Sequence, residues 1–159
     1  MLTKQEANGL FEYQDGMLYW KISKRGVKAG SKAGSVTHEG YMRVMVNGKE
    51  YKIHRLIFLM HHGYFPEMID HINGNRSDNR IENLRPATNQ QNQHNVIAPK
   101  TNTSGVKNVT WSKRNKKWCV ELRVNGRHKN FGQYHDIDYA KFVANAMRYK
   151  YHGNFANHN

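Results

Sequence analysis

Asp70 and His71 stand side by side at the end of a short apolar run, Met68-Ile-Asp-His, and Asn92 follows in a polar stretch further on. Asp70 offers a hard carboxylate oxygen and Asn92 a neutral carbonyl oxygen. Such donors suit Mg²⁺ or Mn²⁺ and do not suit zinc or copper. Mg²⁺ keeps several waters, so two protein ligands suffice where a substrate phosphate supplies others. His71 titrates near neutral pH and can take a proton from an attacking water. Neighbouring strand residues point to opposite faces, so the pair serves one site only if the strand ends and the backbone bends there. Asn73-Gly74 and Asn75 follow directly as turn signals. Asp78 in that loop and His94, two residues beyond Asn92, are the alternative donors.

The elements that must position these groups can be read around them. A second apolar piece, Ile81 to Leu84, brings the chain back. Pro86 is expected to break it, and a helix is expected after Thr88, a possible N-cap. Strand, loop, strand and helix make one supersecondary unit, too small to hold a core of its own. On Asp70-His71, on Asn83 within Asn-Leu-Arg, and on Asn92 in the helix, this stretch resembles the HNH nucleases of the homing-endonuclease branch. The resemblance implies a ββα-metal unit over about 66–95. In it His71 is the general base, Asp70 and Asn92 hold Mg²⁺ or Mn²⁺, and Asn83 braces the loop through backbone hydrogen bonds. Asp70, His71, Asn83 and Asn92 are then the catalytic set.

The chain has 159 residues, with 25 Lys and Arg against 12 Asp and Glu, a net charge of +13. That excess predicts a polyanionic partner, nucleic acid or an anionic membrane. No apolar run approaches a membrane span and no signal-peptide core precedes it, so a soluble protein of the cytoplasm is expected. The single Cys119 excludes an internal disulfide and any multi-cysteine zinc knuckle, and no structural zinc is expected. Residues 1–67 read as a β-rich lead-in with hairpin signals at Asp15-Gly16 and Asn47-Gly48. The arm Tyr41 to Val46 is apolar enough for both faces to be partly buried. A short helix is expected over His54 to His62, with His54, His61 and His62 as packing or surface residues rather than ligands. Lys24, Arg25, Lys28 and Lys32 lie in a loop that either tracks phosphates or is solvated.

Composition shifts over 93–104, and the boundary is placed near Lys100. Residues 1–100 form the expected nuclease domain and 101–159 a second domain. Val106 to Trp111, Trp118 to Val124 and Arg127 to Tyr134 read as three strands, with Asn125-Gly126 closing the second hairpin. Trp118, Val120, Leu122 and Val124 share one face. Asp136 is the expected N-cap of a helix ending at Gly153, with Tyr139, Ala140, Phe142, Val143, Ala146, Met147 and Tyr149 as its apolar residues. Residues 101–159 carry 11 basic and 3 acidic side chains, +8 of the total +13. Ser104-Gly-Val, Trp111, Trp118-Cys-Val-Glu-Leu-Arg, Phe131-Gly132 and the helix alanines are similar to the AP2/ERF DNA-binding domain. That resemblance implies a sheet laid in the major groove. Lys107, Trp111, Glu121 and Arg123 are expected on its outer face, Arg127 and Lys129 flanking it, and Arg114, Lys116 and Lys117 on phosphate.

The fold expected is therefore α+β: a β-rich region leading into a ββα-metal unit, then a three-stranded antiparallel sheet with one packed helix. The function expected is divalent-metal-dependent cleavage of double-stranded DNA. A monomer would nick, and a DNA-induced dimer or two visits would cut both strands. A non-catalytic DNA-binding regulator on the same fold is the alternative. RNA is disfavoured because its A-form major groove excludes such a sheet.

Overall fold

A computed structural model of the chain describes residues 2–96 and 101–157. It forms two compact units, residues 1–89 and 90–159. The boundary expected near Lys100 lies outside the described residues. Packing divides the chain earlier, and the polar helix after Thr88 falls almost wholly in the second unit.

The first unit opens with α1 (Lys4–Leu10), a helix that hydrophobic patterning did not announce. Its start is a capping box: Thr3 Oγ1 accepts from Glu6 N–H, and the Glu6 carboxylate accepts from Thr3 N–H at 2.7 Å. Asp15 and Gly16, both at positive φ, close the hairpin of β1 (Phe11–Gln14) and β2 (Met17–Trp20). Antiparallel β3 (Ser35–Val36), β4 (Met42–Val46) and β5 (Lys49–Lys52) make a sheet in that order. In β4 only Met42, Val44 and Val46 are buried, and Met45 is 55% exposed, so one face rather than both packs inward. Helix α2 (Ile53–His62) ends at Gly63, whose φ of +85° is the left-handed conformation glycine adopts without strain. Its Leu56, Ile57 and Phe58 join Phe11, Leu18, Val44 and Val46 in one apolar cluster that also takes in Ile69 and Leu84.

Ile69 and Leu84 belong to the ribbon that carries the chemistry. Strands β6 (Met68–His71) and β7 (Leu84–Ala87) pair antiparallel, with His71 opposite Leu84 and Asp70 opposite Arg85. Pro86 lies inside β7 opposite Ile69, where a break was expected. In a two-stranded ribbon every strand is an edge, so a proline whose nitrogen faces outward removes no ladder bond.

The second unit takes α3 (Asn89–His94) from Gln90 onward. Strands β8 (Val109–Ser112), β9 (Lys117–Val124) and β10 (Arg127–Tyr134) follow as an antiparallel meander, and α4 (Ile137–His152) packs on one face. Strand β8 starts later than expected because Asn108 sits at φ +67°, outside strand geometry. Val109, Val120 and Leu122 from the sheet meet Ala140 and Ala144 of α4, and the small alanines let the helix lie close. Asp136 caps α4 by accepting from Tyr139 N–H at 2.7 Å. Tyr139, Phe142 and Tyr149 do not join this core and are 55%, 66% and 72% exposed.

A six-residue helix is too short to persist alone, and α3 is held from its C-terminal side. The Lys107 ammonium donates to the carbonyls of His94, at 2.9 Å, and Val96. His94 stacks on His152 with centroids 3.7 Å apart, and Asn157 Nδ2 donates to Asn95 O at 2.8 Å. Arg148 is fully buried and donates to Lys107 O and to Asn145 Oδ1.

Candidate active site

Strand β6 delivers Asp70 and His71 into the first unit at 4% and 5% exposure. The bend that their joint use requires is present: Gly74 N–H closes on His71 O at 2.8 Å, and Ile72 N–H donates to Asn83 O at 2.9 Å. His71 Nε2 lies 3.1 Å from Asn79 Oδ1. A ring nitrogen that faces an amide oxygen must carry the proton, so in the neutral ring the basic lone pair is on Nδ1. Burial pushes the His71 pKa down, against the opposing pull of the Asn79 bond and the Asp70 charge. The ring is therefore in its basic form at neutral pH.

Asn79 is 1% exposed. Sequence reading passed over it, because an asparagine among Asn, Ser and Arg in a turn-rich loop looks like any solvated turn residue. His54 was read as packing, and packs against the site itself. It is 5% exposed in α2, its ring 5.1 Å from that of His71 and 5.4 Å from that of Tyr41. Burial first, and then the neighbouring charges of His71, Lys52 and Arg55, hold its pKa down at about 3. His61 and His62 are at the surface.

Asn83 is buried and ties the loop across its base. Its Oδ1 accepts from Asn73 N–H at 3.0 Å, and its Nδ2 donates to Asp78 O at 2.7 Å and to Asn73 Oδ1 at 3.1 Å. Asp78, the alternative donor, is engaged by Arg80 through Nε at 2.9 Å and Nη2 at 2.8 Å. Those bonds hold its carboxyl well below the usual range. The β1–β2 turn supports the same loop from beneath: a Cβ on Gly16 would lie 2.7 Å from Arg80 N. Tyr13 Oη accepts from Ile81 N–H at 3.1 Å.

Asp70 is bound across the ribbon by Arg85. Nε at 2.8 Å and Nη2 at 2.6 Å both donate to its Oδ2. Arg85 is the other residue that sequence reading left without a role; strand pairing, which places it opposite Asp70, was the signal for it. Among the described residues, no group of three or more His, Cys, Asp or Glu side chains could hold a metal ion. A buried carboxylate without Cys or His clustered beside it as ligands fits a hard, largely hydrated cation and does not fit zinc. The structure thus brings Asp70, His71 and Asn83 together in the first unit. Asn92 and His94 ride on α3 in the second.

The second unit sorts the expected DNA contacts by face. Register pairs Trp111 with Trp118, Arg127 with Val124 and Lys129 with Leu122, so these three share the helix-side face. Trp111 accordingly packs edge-on to Trp118 at 4.9 Å, and the Lys129 ammonium lies 5.2 Å from the Tyr151 ring centroid. Lys107 lies before β8 and spends its ammonium on the end of α3, where burial lowers its pKa to about 8. The outer face holds Lys117, Glu121 and Arg123, with His128 and Asn130 from β10 that the sequence reading did not select. Arg114 and Lys116 are exposed in the β8–β9 turn.

Comparison with known proteins adds an independent line. A family model described as HNH endonuclease matches residues 51–94. That span runs from Tyr51 to His94 and contains α2, the ribbon, its loop and α3. Protein 3.8 of Escherichia phage T7 is 35% identical over 94 residues, covering 59% of this chain and 74% of that protein. The solved structure of the HNH homing endonuclease I-HmuI, concerned with its DNA binding and cleavage, is similar with a TM-score of 0.43 and 23% identity. The likeness covers 77% of this chain and 72% of that one.

Proposed function

This chain belongs to the HNH endonuclease family, and on that footing we propose that it hydrolyses phosphodiester bonds of duplex DNA with Mg²⁺ or Mn²⁺. The observation that carries the reading is His71: a buried, neutral imidazole whose Nε2–H is fixed by Asn79 and which adjoins a buried carboxylate. His71 Nδ1 takes the proton of the attacking water as oxygen approaches phosphorus in line. Asn79 holds the ring in the required tautomer, and Asn83 keeps the loop that presents Asn79 from opening. Asp70 and Asn92 would hold the ion, which offsets charge on the phosphorane and on the leaving 3′ oxygen. The ends produced carry 5′ phosphate. One such site per chain gives one cut per visit, so a monomer nicks.

The second unit, on the sequence resemblance to the AP2/ERF domain and its charge of +8 over residues 101–159, would place the chain on DNA. Glu121, Arg123, His128 and Asn130 on the outer face would read base edges, while Arg114, Lys116 and Lys117 would meet phosphate. The test is incubation of supercoiled plasmid with the full chain in Mg²⁺ and in EDTA, with end-group mapping of the products. Relaxed circles with ligatable 5′-phosphate ends in Mg²⁺ only are expected. Cleavage that persists in EDTA would overturn the metal-dependent reading.

A further inference from the structure

The Asp70–Arg85 pair says more than that a carboxylate is well oriented. Two Arg85 N–H groups fall on one oxygen, Asp70 Oδ2, at 2.6 and 2.8 Å, and the Asp70 and Arg85 side chains are only 5% and 16% exposed. Register sets the two residues opposite each other in a two-stranded ribbon, so the pair is held at close range in the free chain. Two N–H groups on one carboxylate oxygen occupy both of its lone pairs. A dication that takes Oδ2 must displace a guanidinium bond, and one that takes the other oxygen sits beside a fixed positive charge. Burial leaves that repulsion poorly screened.

A phosphodiester changes the balance. It is an anion with two oxygens in the geometry a guanidinium fork prefers. With duplex in place, Arg85 can turn donors to a backbone phosphate and give up part of Asp70, while the phosphate charge offsets the incoming dication. We propose that Arg85 is a positioning residue that keeps the divalent-ion affinity of the DNA-free chain low and makes ion and DNA binding mutually dependent. This rests on the reading of Asp70 as an ion ligand. Its consequence is that the free chain carries no armed site, and the ion is taken up on the duplex.

The experiment is a calorimetric Mn²⁺ titration of the full chain carrying His71→Ala, which leaves the DNA uncut. It is run alone and with a short mixed-sequence duplex at low salt, the duplex-only titration being subtracted. Duplex should tighten Mn²⁺ binding by about 5–150-fold, the range typical of coupled sites, and by reciprocity Mn²⁺ should tighten duplex binding equally. Adding Arg85→Gln, which keeps an amide donor and removes the charge, should tighten Mn²⁺ binding in the absence of DNA and shrink the effect of duplex to less than about two-fold. Equal Mn²⁺ affinity with and without duplex in the Arg85-containing protein overturns the proposal, whether or not the Gln variant folds. So does a folded Gln variant that binds Mn²⁺ no more tightly than its parent. Asp70→Ala in the same background separates the two failures. If it leaves Mn²⁺ binding unchanged, the ligand assignment is wrong. If it abolishes binding while the Arg85 arms show no coupling, only the clamp is wrong.

Discussion

The buried set around His71 and the exposed cations of the second unit use polar residues in opposite ways. In the first, Asp70, His71, Asn79 and Asn83 lie at 1–7% exposure, with His71 bonded to Asn79, Asp70 to Arg85, and Asn83 to Asn73 and Asp78 of the loop. In the second, Arg114, Lys116, Arg123, Arg127 and Lys129 stand in solvent. A buried polar group costs free energy unless its partner is in place, so the first set has one workable arrangement and fails as a unit. Exposed cations contribute separately, and losing one leaves the others as they were. Chemistry needs the first kind of arrangement and adhesion to a polyanion tolerates the second.

Asp70→Ala is the hardest blow to the buried set. Cleavage should vanish, and stability should fall by about 3–5 kcal/mol as the buried ion pair loses its anion, read from urea unfolding beside a plasmid assay. A stable, active variant would mean that the first unit is not built around this pair. Next comes Asn83→Ala, which leaves Asn73 N–H and Asp78 O without their observed partner. A loss of about 1–3 kcal/mol is expected, with faster amide exchange in 72–80.

Removing residues 101–159 tests the division itself. The sequence puts the whole cleavage motif in 1–100, which suggests nicking by that fragment. The structure points the other way: Lys107, His152 and Asn157, which hold α3 and hence Asn92, would be gone. The fragment should be folded through α2 by circular dichroism yet inactive on plasmid. Nicking at wild-type rate would show that cleavage does not depend on the support that residues 101–159 give α3.

A smaller effect is expected from pH. His54 is held neutral with its pKa at about 3, against an ordinary value of 6.5. Between those values the unfolded chain binds a proton that the folded chain refuses. Stability is therefore full above pH 6.5 and falls as pH drops through the window, by at most about 1.4 kcal/mol per pH unit from this residue. His54→Gln should flatten that slope in urea midpoints measured from pH 7 to 5. On the exposed side, Arg123→Ala should cost about 1–3 kcal/mol on a preferred sequence if it reads a base. Lys116→Ala should weaken all sequences alike and reduce the salt slope by about one unit.

Legibility in the sequence followed the same divide between local and non-local signals. Hairpins closed by Asp15-Gly16, Asn47-Gly48 and Asn125-Gly126, the alternation of Trp118 to Val124 and the Asp136 cap are local, and each appears where it was expected. Asp70, His71 and Asn83 stood out because their spacing carries the resemblance. Asn79, His54 and Arg85 did not, because their place depends on which strand lies opposite and which helix lies behind. Face assignment in the second unit failed for Trp111 and Lys107 for one reason: Asn108 at positive φ starts the strand late and resets its alternation.

The most direct measurement is cleavage and duplex binding by His71→Ala on one labelled duplex in Mg²⁺, beside the unaltered chain. A general base that does not hold DNA contributes about 10²–10⁴-fold to rate. Cleavage should therefore fall by that factor while affinity stays within a few-fold. Cleavage at near the unaltered rate would contradict the assignment of the chemistry to His71.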